Sequence, residues 1–208
     1  MNVAVVDYGA GNIASIVNAL YMAGADAVKV STPEDVLAAE RLVLPGVGAA
    51  GLAMANLTKN GLDEALREVV RTKGRPMLGI CLGMQLIASA LHEFCERPGL
   101  AWVDADVTDL HDVEGVLRRI PHTGWNSVEA RAVAQELFKG IKDGADFYFN
   151  HSFTLRPTDD SIVAATCNYG TPLVAALQMD TVFATQFHPE KSQLNGDKLI
   201  SNFMRWNP

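Results

Sequence analysis

Short apolar runs alternate with helix-like stripes through the first half of this 208-residue chain, and that alternation most narrows the folds open to it. Val3–Val6 is a nearly continuous apolar run of the kind buried on both faces of a sheet. Gly9 and Gly11 make a turn and Asn12 is a suitable helix N-cap. Ile13, Ile16, Val17 and Leu20 then follow at helical spacing until Gly24. Val28–Val30 and Arg41–Leu44 read as the second and third strands, the third closed by Pro45-Gly46. Leu62, Ala65, Leu66 and Val69 predict one face of a helix reaching about Thr72, with Asp63 and Arg67 spaced as an i,i+4 pair. Pro76–Ile80 reads as a fourth strand and 84–94 as a helix. Alternation of this kind builds βαβ units, so the expected class is α/β, with a mainly parallel open sheet flanked by helices.

The second half has another texture. Segments 101–108, 116–120, 146–150, 161–167, 173–179 and 181–187 read as strands with short connections, which predicts an additional antiparallel strand patch beside the parallel sheet. A last helix is expected over about 196–206, with Leu199, Phe203 and Trp206 on one stripe. With no repeat and no linker, one domain over 1–208 is expected. Hydrophobic residues at 49% and charged residues at 20% fit a packed core and leave no room for long disorder. The net charge of −7, without a basic run, argues against nucleic acid and anionic membrane as partners. The start lacks a basic segment and Asp7 interrupts its apolar run, so no export signal is expected. Three cysteines without a C-x-x-C pair fit a reducing cytoplasm, and no Cys/His cluster has zinc spacing.

The sharpest local feature is Gly79-Ile80-Cys81-Leu82-Gly83, a nucleophile elbow with Cys in the place of Ser. The flanking glycines let backbones pass closely and leave the thiol at the start of a helix, where thiolate is favoured. A free cysteine is more often a buried packing residue; Cys95 and Cys167 lack the elbow's context and read as core or surface residues. A thiolate acting on an amide needs a base, and the base needs an orienter. Of five histidines, His188 in Gln186-Phe187-His188-Pro189-Glu190 ends an apolar strand. Glu190, two residues on, points to the same side and can hold its ring. The plainer reading of that segment is a surface loop with an incidental ion pair. Leu44-Pro45-Gly46-Val47-Gly48 offers backbone N–H groups without a Cβ in the way, which suits an oxyanion, although alone it reads more readily as a βα turn.

Together, in this order, the three motifs resemble the class I (Cys-His-Glu triad) glutamine amidotransferases. Met84 before Gln85 narrows the likeness. Tyr8-Gly9-Ala10-Gly11-Asn12, Pro121-His122-Thr123-Gly124-Trp125-Asn126, Phe147-Tyr148-Phe149-Asn150-His151-Ser152 and Gln186-Phe187-His188-Pro189-Glu190-Lys191-Ser192 resemble the family of glutaminase subunits of imidazole glycerol phosphate synthases. Ala50, Asn150, Phe153 and the acidic stretch 103–117 depart from that family's pattern. The resemblance implies glutamine hydrolysis by Cys81, His188 and Glu190, with Gly46, Val47, Gly48 and Leu82 around the oxyanion. It implies Gln85, His151 and Ser152 at the substrate, and no cofactor or metal. It also implies a heterodimer with a cyclase subunit built as a (β/α)₈ barrel, which receives ammonia for histidine biosynthesis and is met by Asn12, Trp125, Tyr148 and Lys191. Two alternatives stay open: a paralogous glutaminase feeding a cell-surface sugar amidotransferase, told apart by its partner, and a catalytically silent subunit, told apart by an activity assay.

Overall fold

The computed structural model describes residues 2–116 and 118–208. In chain order the first half contains β1 (Asn2–Val6), α1 (Ile13–Met22), β2 (Asp26–Val30), α2 (Pro33–Leu37), β3 (Arg41–Leu44), α3 (Ala50–Lys59), α4 (Leu62–Arg67), β4 (Met77–Ile80), α5 (Leu82–Gln85) and β5 (Ala88–Leu91). The second half contains β6 (Arg97–Pro98), β7 (Val103–Asp109), β8 (His122–Ala130), β9 (Ala145–His151), β10 (Phe153–Pro157), β11 (Val163–Asn168), β12 (Pro172–Met179), β13 (Val182–Thr185) and α6 (Gln193–Arg205).

One nine-stranded sheet runs in the order β2-β1-β3-β4-β13-β12-β11-β8-β9, and a four-stranded sheet runs β10-β7-β5-β6. The large sheet is parallel from β2 to β13 and antiparallel from β13 to β9. The expected parallel sheet and antiparallel patch are therefore two halves of one mixed sheet. Its residues alternate between two cores. Along β1, Ala4 and Val6 pack with the side of α3 and α4, and Val3 and Val5 with the side of α1 and α6. This is why β1 reads as unbroken apolar sequence. Phe147, Phe149, Phe183 and Phe187 are fully buried, each worth about 1.5–3 kcal/mol relative to exposure.

Several expectations need correcting. The helix foreseen over 84–94 ends at Gln85 and is followed by β5. The carbonyls of Leu86, Ile87 and Ala88 are taken by the N–H groups of Leu100, Trp102 and Ala101, so a continuing helix has lost its acceptors. Of the strand expected at 116–120, Leu117 lies outside the described residues and the other positions carry no strand. Asp63 accepts from the Thr58 hydroxyl at 2.6 Å and, among the described residues, forms no ion pair with Arg67. Helix α4 continues as a π turn over Glu68–Thr72.

The sheet order fixes where chemistry gathers. Strand β4 lies between β3 and β13, all parallel, so Cys81 after β4 has the 45–48 loop on one side and the 186–190 segment on the other. Carboxyl ends of parallel strands are the usual binding edge of such sheets.

Candidate active site

Cys81 sits at the turn between β4 and α5 with φ 52° and ψ −104°. For a side chain with a Cβ this costs about 1–3 kcal/mol. Its neighbours hold the strain: the Cys81 N–H donates to the Thr185 carbonyl at 2.7 Å, and its carbonyl accepts from Met84 at 3.0 Å and Gln85 at 3.2 Å. A Cβ on Gly83 would collide with the Leu44 carbonyl, so glycine there is a packing requirement. Helix α5 is a single turn, so its dipole gives the thiolate little support. That support has to come from side chains.

His188 supplies some of it. The ring and Glu190 are both 2% exposed, and Nδ1 lies 2.8 Å from Glu190 Oε1. Glu190 accepts there, so Nδ1 carries the proton and Nε2 is the nitrogen available to Cys81. Nε2 is buried with no fixed hydrogen-bond partner, which leaves it free to exchange a proton at Cys81. Burial alone would push the His188 pKa down. The proximity and charge of Cys81 and Glu190 outweigh it, and the pKa is raised to about 9. At neutral pH the His188 ring therefore favours its protonated, cationic form beside Cys81. The backbone of His188 is fastened to β9: its N–H donates to the Tyr148 carbonyl at 2.8 Å. The Ser192 hydroxyl donates to the His188 carbonyl at 2.6 Å and accepts from the Tyr148 N–H at 3.0 Å.

Loop 45–48 lies over α5. A Cβ on Gly46 would meet the Tyr8 hydroxyl and, at 2.8 Å, Leu82 Cβ. The Tyr8 hydroxyl donates to the Pro45 carbonyl at 2.6 Å, and burial pushes its pKa up. The Leu82 N–H is directed at the Gly46 carbonyl at 3.4 Å. Gly48 has φ 107°, which glycine adopts freely.

A cavity of about 270 Å³ opens beside Cys81, lined by Val47, Gly48, Leu82, Gln85, Glu93, Pro121, Asn150, His151, Ser152 and Phe153. The sequence-predicted substrate residues thus meet the nucleophile in one cavity. Gln85 Nε2 donates to the Phe153 carbonyl at 3.1 Å and to Gln186 Oε1 at 3.1 Å, leaving its own carbonyl oxygen for a cationic ligand group. Both ring nitrogens of His151 are engaged, with the Phe153 carbonyl at 2.8 Å and His122 Nδ1 at 2.9 Å. Any contact it makes with substrate is therefore through its backbone. A larger cavity of about 500 Å³, lined by Asp112, Glu114, Arg156 and Asp160 among others, holds none of these residues.

Sequence reasoning gave no role to Glu93, the one acidic side chain lining the cavity among the described residues. Its Oε2 accepts the Ala50 N–H at 2.5 Å, leaving Oε1 free. Glu93 was hidden inside the helix expected over 84–94. His122, Gln186 and Ser192 were seen only as parts of motifs, because their partners lie across strands.

Trp125, Tyr148 and Lys191 form one surface cluster. Trp125 and Tyr148 are opposite one another on β8 and β9 with ring centroids 6.0 Å apart, and Lys191 Nζ lies 5.9 Å from the Tyr148 ring. Asn12 caps α1 through Oδ1, which accepts from the Ser15 N–H at 3.4 Å.

The family model "Glutamine amidotransferase class-I" matches residues 4–206. A Rhodospirillum rubrum protein named imidazole glycerol phosphate synthase subunit HisH is 43% identical, over all of this chain and all of its own. The subunit of that name from Agrobacterium fabrum is 44% identical, again over the whole of both chains. The solved structure of PurLQS from Thermotoga maritima superposes with a TM-score of 0.75 at 16% identity, covering 98% of this chain and 97% of its own, and so shares the fold. The chain belongs to the class I glutamine amidotransferase family.

Proposed function

We propose that this chain is the glutaminase subunit of an imidazole glycerol phosphate synthase, hydrolysing glutamine to glutamate and ammonia. The buried His188–Glu190 pair at 2.8 Å beside the strained Cys81 carries the chemical half of this reading. The full-length likeness to two subunits of such synthases carries the other half. The Cys81 thiolate attacks the side-chain amide carbon of glutamine. The resulting tetrahedral intermediate expels ammonia, which takes its proton from His188. Water, deprotonated by His188, then attacks the Cys81 thioester and releases glutamate with the thiolate restored. Glu190 keeps the His188 proton on Nδ1 throughout.

At the other end of the substrate, the free Oε1 of Glu93 and the carbonyl oxygen of Gln85 suit an α-ammonium group, with Ser152 lining the same cavity. The oxyanion needs two donors. The Leu82 N–H is now spent on the Gly46 carbonyl, and the Val47 N–H, on the far side of that same peptide, points the opposite way. Rotating the Gly46–Val47 peptide frees the first donor and aims the second. One well-placed donor is worth about 10²–10³ in rate, so this loop sets how fast glutamine is consumed.

The partner is a cyclase with a (β/α)₈ barrel that takes the ammonia and makes imidazole glycerol phosphate and aminoimidazole carboxamide ribonucleotide. It docks over Trp125, Tyr148, Lys191 and Asn12, in a cytoplasm that keeps Cys81, Cys95 and Cys167 reduced. Docking bears on catalysis because the Tyr148 backbone is bolted to His188. The test supplies the cyclase with either ammonium salt at high pH or glutamine, with and without this chain. Product from ammonium alone, and from glutamine only when this chain is present, is expected. A cyclase that uses ammonium but makes no product from glutamine with this chain present contradicts the assignment.

A further inference from the structure

We propose that Gln186 is a catalytic residue of this site: its side-chain amide donates to Cys81 Sγ and supports the thiolate, and its orientation is set by Gln85, held in turn on the Phe153 carbonyl where a second run of hydrogen bonds from Asn126 also ends. The proposal rests on Cys81 being the nucleophile, and nothing in the three motifs themselves assigns Gln186 a task.

The direction of every link follows from what each atom can do. Gln186 is fully buried, and the atom 3.6 Å from Cys81 Sγ is its Nε2. That placement of N and O is forced from behind. The Phe153 carbonyl can only accept, so the Gln85 atom 3.1 Å from it is the amide nitrogen. The same nitrogen lies 3.1 Å from Gln186 and must donate to an oxygen, so Gln186 turns Oε1 toward Gln85 and its NH₂ toward the sulfur. Reversing Gln186 would set two NH₂ groups against each other.

The Phe153 carbonyl has a second donor, His151 Nδ1, at 2.8 Å. His151 therefore carries its proton on Nδ1 and presents a bare Nε2. His122 Nδ1 donates to it at 2.9 Å, which leaves His122 Nε2 bare to accept from Asn126 Nδ2 at 3.2 Å. Asn126 Nδ2 also donates to the Asn168 carbonyl at 2.9 Å, which fixes that amide in turn. His122 lies stacked between Phe149 and Tyr169, with centroids 4.5 and 4.0 Å away, so its plane is held. Burial is the main reason both histidines are neutral: the pKa of His122 falls to about 4 and that of His151 to about 3. Two runs of donors thus meet at the Phe153 carbonyl: Asn126, His122 and His151 donate toward it from the face of β8, beside exposed Trp125, and Gln85 donates to it from the side of the reacting sulfur.

Gln186 matters because α5 is too short to stabilise the thiolate by its dipole. The Asn150 carbonyl also lies 3.9 Å from the sulfur, an acceptor that favours the protonated thiol. Gln186 is the uncharged donor that opposes it. The titratable groups facing Cys81 are His188 and Glu190 from the segment after β13, Tyr8 from the turn after β1, His151 at the end of β9, and Glu93 from the loop after β5.

The test is the rate of Cys81 alkylation by iodoacetamide in the full-length chain, followed by mass from pH 5 to 10. It needs no glutamine turnover and no partner. A chain that shows the Gln186 effect but never hydrolyses glutamine would overturn the proposed function and leave this inference standing. Gln186→Met keeps the shape and removes the donor; the thiolate midpoint is expected to rise by about one pH unit, tenfold in the thiolate equilibrium. Gln186→Glu is expected to raise it further. His122→Phe, which keeps the stack and removes the donation to His151, is expected to raise it less. An unchanged midpoint in a folded Gln186→Met protein overturns the proposal. If that variant does not fold, the wild type decides: the Gln186 side-chain amide proton resonances should shift with the thiol's titration and on its alkylation, and resonances that stay still overturn it.

Discussion

Replacing Glu93 by Gln removes one charge from the cavity beside Cys81, the proposed glutamine site, with little change of shape. Its Oε2 holds the first N–H of α3, a bond that an amide oxygen can keep, so the fold should survive. What is lost is the negative charge available to an α-ammonium through Oε1. A hydrogen bond to a charged group is worth about 1.5–3 kcal/mol, and Glu93 is only half-buried, which places the loss near the lower end. About 1.5–2 kcal/mol corresponds to roughly a 10–30-fold rise in KM. The α-ammonium lies at the far end of the substrate from the scissile amide, so kcat should stay within about threefold. The assay is glutamate release by the complex with its cyclase, at varied glutamine, for wild type and Glu93→Gln. Repeating it with 4-carbamoylbutyrate, which has the amide but no amino group, isolates the cause: the two proteins should then perform alike. A KM for glutamine unchanged in the variant, or an equal loss on the analogue, refutes the reasoning.

Lys191→Ala, which leaves the triad intact, should reduce stimulation by the cyclase more than basal glutamate release; equal fold-stimulation in both proteins removes Lys191 from the account. Ser192→Ala unfastens His188 from Tyr148 and should lower kcat about tenfold with KM little changed, as read from the same assay. Activity should decline as pH rises through about 9, where His188 loses the proton it delivers to ammonia. Acid has a separate effect. The depressed pKa values of His122 and His151 mean that the unfolded chain binds protons below about 6.5 that the folded chain refuses. Stability should therefore fall as pH drops from about 6.5 toward 4, and His122→Phe should flatten that dependence in urea titrations at pH 7 and 5.

The elbow was legible because Gly83 is demanded by close backbone contact and a Cβ on Gly79 would crowd Gly83 and Ala184, and such constraints are written into the residues themselves. The unbroken apolar run of β1 announced a strand buried on both faces for a similarly local reason. Strand β5 was not legible. Met84 to Phe94 has helical propensity throughout, and what ends the helix is a set of N–H donors from residues 100–102. Strand β8 was missed as well: Gly124 and polar neighbours give it no alternating pattern, and pairing with β9 and β11 holds it. The same limit hid half of the site. His188 and Glu190 are two residues apart and could be paired by eye. His122 and His151 meet only through the register of β8 on β9, and Gln85 meets Gln186 only because α5 and the segment after β13 converge.

On the proposed mechanism, glutamine passes through a covalent bond to Cys81. Rapid quenching of the complex with glutamine and its acceptor ligand, followed by mass analysis of the peptide containing Cys81, measures that bond directly. A glutamyl adduct on Cys81 is expected in the wild type during turnover. It should be absent from Cys95 and Cys167, and absent altogether in Cys81→Ala, which should release no glutamate. Glutamate release at the wild-type rate by Cys81→Ala would contradict the account.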